Sequence, residues 1–159
     1  MPIRQTLGAL GLATAALLAA PLASPAAAQG AAVPGATPAA ERIGLELNRL
    51  EPRQNAGANG CRVWLVLRNP GAEPVDPLRL DLLIFGKDGV VAQRLSLDVG
   101  PLPREKTMAR VFDLSTQPCD GIGAFLLNDL LACGAAETAA ACLPRLALSS
   151  RVDGVSFEK

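Results

Sequence analysis

Four cysteines, Cys61, Cys119, Cys133 and Cys142, are the residues of this chain best suited to covalent chemistry. No two of them stand as C-x-x-C, the close pair a thiol oxidoreductase normally uses. An even set without that pair is expected to be oxidised into two structural disulfides. Three connectivities are open. Cys61–Cys119 with Cys133–Cys142 is favoured, because the first ties two distant strands together and the second closes a short local loop. On chain entropy alone the long loop contributes roughly 4 kcal/mol and the short one about 2.7 kcal/mol.

The chain holds no histidine and no tyrosine. The absence of histidine removes Ser-His-Asp and Cys-His nucleophile systems, histidine zinc sites and most copper sites. An enzyme would have to run on carboxylates, lysine or serine. Asp81, Asp88, Asp98, Asp113, Asp120 and Asp129 are available, but a glycosidase needs two acids held as a pair and spacing alone pairs none of these. Asp88 is accounted for by its turn (Gly86-Lys87-Asp88-Gly89) and Asp120 by the Cys119-Asp120-Gly121 loop. Asn128-Asp129 interrupts the apolar run FLLNDLLAC, which is expected to mark a bulge or turn. Asp120 and Asp129 in one concave pocket would instead support a small-ligand site. No loop offers the regularly spaced oxygen ligands of a calcium site, so no catalytic, cofactor or metal-binding residues are assigned.

The elements that must position these groups read as seven strands, near residues 43–50, 61–68, 78–85, 90–97, 106–114, 122–132 and 146–152. The sixth also fits helical spacing through Ile122, Phe125, Leu126 and Leu130; Gly121 and Gly123 favour a strand. Residues 53–60 read as a polar turn and 135–141 as a helical turn in a loop. Short strands in series with turn signals between them predict an all-β fold, an antiparallel immunoglobulin-like β-sandwich stabilised by disulfides. In three strands the nominally outward face is apolar too: Trp64 with Val66, Leu83 with Phe85, and Met108 with Phe112. Arg62, Arg68, Arg79, Asp81 and Arg110 share those faces. Either a loop or the C-terminal segment covers them, or Trp64, Phe85 and Phe112 form a patch for a partner.

Residues 1–28 read as a cleavable signal peptide: Arg4 near the start, a Leu/Ala/Gly core, then Ser24-Pro25-Ala26-Ala27-Ala28 before the cut. Pro21 and the small-residue cleavage pattern set this apart from a membrane anchor. Residues 29–41, mostly Ala, Pro and Gly, read as a flexible leader, and 42–159 as a single domain. Removing Arg4 leaves 14 basic residues against 15 acidic ones, a net charge of −1. That balance lacks the basic footprint nucleic acid demands, and no second long apolar run follows to span a membrane. A periplasmic or secreted location is expected.

The runs CRVWLVLRN, LDLLIFGKDGVV and CDGIGAFLLNDLLAC resemble a group of small exported bacterial proteins of unknown function often labelled "Tat pathway signal sequence domain protein". The likeness covers residues 43–142 and carries no catalytic or binding residues with it. Residues 1–5 hold no twin arginine, so the general secretion route is the expectation here. Cys61 and Cys119 are spaced much like the bridging pair of immunoglobulin-like sandwiches, although Trp64 shares a strand with Cys61 and the corner tyrosine is missing. Two functional expectations follow. The first is a non-enzymatic interaction or accessory module of the cell envelope with a protein partner. The second is a binding protein or carboxylate-based enzyme for a small envelope ligand such as a glycan.

Overall fold

A computed structural model describes residues 42–55, 58–135 and 138–159. The expected signal peptide and leader lie outside the described residues. Eight strands form two four-stranded sheets: β1 (Ile43–Asn55), β2 (Ala58–Asn69), β3 (Leu78–Gly86), β4 (Val91–Asp98), β5 (Lys106–Leu114), β6 (Ile122–Cys133), β7 (Leu146–Ser150) and β8 (Ser156–Glu158). One sheet has the order β5-β2-β1-β7 and the other β4-β3-β6-β8. They pack as a sandwich around one continuous core.

The inner faces follow from alternation. Ile43, Leu45 and Leu47 on β1, Val63, Leu65 and Leu67 on β2, and Leu78, Leu80, Leu82 and Ile84 on β3 are all buried. A bulge at Asn48 adds one residue to β1 and keeps Leu50 turned in beside Val63. The β1–β2 ladder runs on to Asn55 and Ala58. Much of the segment that reads as a turn by composition is therefore paired backbone.

The sheets are mixed rather than wholly antiparallel, because β7 runs parallel to β1 and β8 parallel to β6. The eighth strand, β8, is three residues long, too short to register as alternation. It buries Phe157 edge-on against Phe125, ring centroids 6.4 Å apart. The sixth segment is a strand. Gly123 lets it pass close to the β3–β4 hairpin, where an added Cβ would sit 2.8 Å from the Gly86 carbonyl oxygen. A single helical turn, α1 (Ala139–Cys142), is N-capped by Thr138, within the segment read as a helical turn.

Both disulfides join the expected partners, Cys61 with Cys119 and Cys133 with Cys142. The first links β2 of one sheet to the 3-10 turn Cys119–Gly121 that leads into β6 of the other. The second fastens α1 to the end of β6. Lys159 Nζ donates to the carbonyls of Leu143 and Leu146, each at 2.8 Å, and so fixes the residues after β8 to the start of β7. Burial and the nearby Arg42 hold that ammonium below the usual lysine range.

Candidate functional site

Trp64, Phe85 and Phe112 do not share a face. Trp64 lies on the outer face of the β5-β2-β1-β7 sheet, opposite Arg49 on β1 and Val111 on β5. Phe85 lies on the outer face of the other sheet, opposite Val91 and Ala124. Phe112 is paired with the buried Val63, so it turns inward at the edge of the core. Met108 and Arg110 turn inward with it, opposite Leu67 and Leu65. Pairing with β2 sets this phase, and Arg110 tolerates it because its guanidinium donates to the carbonyls of Val99, Gly100 and Pro101. Those contacts satisfy the loop that crosses from one sheet to the other.

The surface around Trp64 is a lattice of paired charges. Its indole N–H donates to Glu51 at 2.8 Å, and Glu51 also pairs with Arg49 at 2.7 Å. Arg62 holds Asp113 with two hydrogen bonds of 2.9 and 3.1 Å. Trp64 contributes one hydrogen bond and cross-strand packing here, and nothing to the core. Trp64→Ala should therefore leave the fold intact and lower stability by about 1 kcal/mol. A urea titration with unchanged far-UV circular dichroism checks this; collapse of the fold would refute it.

The outer face of the β4-β3-β6-β8 sheet has two unlike halves. In one, Asp81 on the central strand β3 is only 1% exposed. Arg94 from β4 donates to both of its carboxylate oxygens, at 2.9 and 2.8 Å, and Asn128 from β6 donates at 2.6 Å. Asp129 stands directly across from Asp81, two like charges that the Arg94 guanidinium offsets together. The bulge expected at Asn128-Asp129 is present: the register shifts there and leaves Asn128 free to reach Asp81. The Arg94 side chain that pairs with Asp81 is itself 66% exposed, so this buried carboxylate belongs to a clamp across three strands on the outer face of the sheet.

Three carboxyls are held below their ordinary range. For Asp81 the cause is Arg94, then Asn128; for Asp113 it is Arg62; for Glu46 it is Asn48, then Arg151. A carboxyl whose folded pKa is depressed binds fewer protons folded than unfolded. Its stabilisation is complete above the unfolded pKa and is lost as pH falls through the folded one. Stability should thus be flat between about pH 5 and pH 8 and decline below about pH 4, which thermal unfolding across pH measures. A midpoint unchanged between pH 6 and pH 3 would refute it.

The other half is apolar. Phe85, Ala124 and Leu126 floor an open groove of about 580 Å³. Gly86, Lys87 and Gly89 of the β3–β4 hairpin wall one side, Gly154 and Glu158 the other. Val90 and Val91, at the foot of the hairpin, are 62% and 47% exposed. The groove therefore pairs an apolar floor with a cation on one rim and an anion on the other. Of its residues, only Phe85 was singled out by alternation. Lys87, Glu158 and Leu126 come together through β3–β6 pairing and through β8, which the sequence pattern does not reveal.

Of the other candidate carboxylates, two are engaged locally. Asp88 accepts from the Val90 N–H and Asp98 from the Gly100 N–H. Asp120 sits in the turn before β6 and Asp129 far along that strand, a separation of about 25–30 Å at strand rise. The structure does not bring Asp120 and Asp129 together. Among the described residues no three acidic or cysteine side chains gather as metal ligands, and no helix is long and apolar enough to cross a membrane. No family model, no curated protein and no solved structure matches the chain.

Proposed function

We propose that the protein is an exported, non-enzymatic interaction module of the cell envelope, and that it holds its partner through the Phe85 groove. The groove itself is the observation that carries this reading. Its floor is apolar and solvent-facing, and its rims carry Lys87 and Glu158, a pattern suited to a protein segment with an apolar anchor between opposite charges. Two disulfides in a small domain fit an oxidising compartment, consistent with a periplasmic or secreted location. We also read the sandwich as immunoglobulin-like in its first six strands. The orders β5-β2-β1 and β4-β3-β6, with a bridge from β2 to the approach of β6, support this. The parallel β7 and β8 are its departures.

Co-purification of the tagged protein from its native envelope, without reductant, tests the proposal. The wild type should retain one stoichiometric envelope protein that Leu126→Asp releases and Trp64→Ala does not. A solitary protein, or a partner indifferent to Leu126→Asp, would overturn it. Intact mass in the same experiment should show cleavage after Ala28 and the loss of four hydrogens for two disulfides.

A further inference from the structure

The four outer strands of the sandwich are not equally protected. β7 and β8, the edges on one side, lie against each other across the two sheets. On the other side β5 turns the charged Arg110 inward, a recognised guard against edge-to-edge pairing. β4 has neither defence. It carries no Pro and no Lys, and its one irregularity lies near its start, where the register with β3 shifts between Ile84 and Phe85. Residues 93–98 then run unbroken.

The pairing of β4 with β3 fixes which backbone groups this edge offers. The Val99 N–H bonds to the Leu78 carbonyl on β3. In an antiparallel ladder the bonding direction alternates, so Leu97 and Leu95 also bond toward β3. Arg94, Ser96 and Asp98 then point their N–H and C=O groups away from it. Their side chains are exposed on the outer face, while Leu95 and Leu97 lie half-buried at the rim of the core.

The sequence of this edge is complementary to itself. When two copies pair antiparallel about Ser96, Arg94 falls opposite Asp98 of the second copy, and Asp98 opposite its Arg94. Ser96 meets Ser96 on the axis, and Leu95 meets Leu97 on the inner face. All three outward pairs are of the hydrogen-bonded kind, matching the direction of the free N–H and C=O groups. Arg94 engages Asp81 through Nε and Nη2, and its side chain is 66% exposed, so Nη1 is left for a second carboxylate. A slip of one residue would set outward side chains against inward ones.

We infer that the protein pairs with a second copy of itself through β4, joining two four-stranded sheets into one eight-stranded sheet across a two-fold axis. This surface is separate from the Phe85 groove, and the two stand or fall independently.

Sedimentation velocity with light scattering over a dilution series tests it. The purified protein should be a reversible dimer. Ser96→Lys brings two ammonium groups together on the axis and should weaken the dimer about tenfold or more. Ser96→Pro removes an N–H that faces away from β3, so the sandwich should survive while the dimer is lost. Circular dichroism matching the wild type shows that each variant is folded. A monomer at every concentration, or a dimer indifferent to both substitutions, would overturn the inference. So would a monomer that takes up an added extended peptide at β4, which would assign the edge to a foreign strand.

Discussion

Replacing Cys61 and Cys119 together by alanine is expected to lower stability by about 4 kcal/mol. The bridge closes 58 residues of sequence, and the entropy withheld from the unfolded chain grows with the logarithm of that length. It is also the covalent link between the two sheets near their shared end, with Cys61 fully buried. Removing both cysteines leaves no lone thiol to exchange with the second pair. The same replacement of Cys133 and Cys142, nine residues apart, should cost less, about 2.7 kcal/mol. Urea unfolding under non-reducing conditions measures both. Equal losses, or a smaller loss from the long loop, would show that residual structure in the unfolded chain and not loop length governs their effect.

Asn69→Leu should cost about 3 kcal/mol, more than its size suggests. Asn69 is 2% exposed at the end of β2. Its Nδ2 donates to the carbonyls of Glu73, Pro103 and Leu102 at 2.8, 3.2 and 3.4 Å, and its Oδ1 accepts from the Gly71 N–H at 3.0 Å. One side chain thus pins the loop after β2 to the loop before β5. Beside it Val75 and Leu102 exchange two backbone bonds of 2.9 Å. Leucine preserves the volume but removes all four hydrogen bonds, and with them the tie between the two loops. Asn69→Asp separates packing from hydrogen bonding. It keeps the acceptor for Gly71 but sets a negative charge against three carbonyl oxygens, which raises its folded pKa. The penalty is therefore present at neutral pH and shrinks as pH falls and the acid regains a donor. Destabilisation that did not ease on acidification would contradict this account.

The inner faces of β1, β2 and β3 are legible because each alternates without interruption over its buried part. β6 is harder for a physical reason that the register displays. Extra residues near Gly123, Asn128 and Leu131 shift its pairing with β3 three times. The buried positions fall at Ile122, Phe125, Leu127, Leu130 and Cys133, separated by three, two, three and three residues. A bulged strand thereby imitates helical spacing. β5 misleads in another way: Met108, Arg110 and Phe112 look like an outward face because a charge sits among them. Only the carbonyls of residues 99–101, brought near by the crossover, explain an inward arginine. The candidate site was visible only in part. Phe85 stands out as an apolar residue in a strand with a charged face. Its groove needs the β3–β6 register and a three-residue strand, and neither leaves a periodic trace. The Asp81–Arg94–Asn128 clamp joins residues from three strands, and no local pattern pairs them.

The parallel strands β7 and β8 have a consequence for synthesis. They are the last two strands among the described residues, and each closes one sheet by lying beside an earlier strand, β7 beside β1 and β8 beside β6. A chain interrupted before Leu146 would leave β1 without its neighbour and β6 without its cover, with Phe125 lacking Phe157. Two long strand edges would then be open at once. A chain lacking residues 146–158 is therefore expected to expose unpaired backbone along β1 and β6 together, a pairing hazard that β7 and β8 remove.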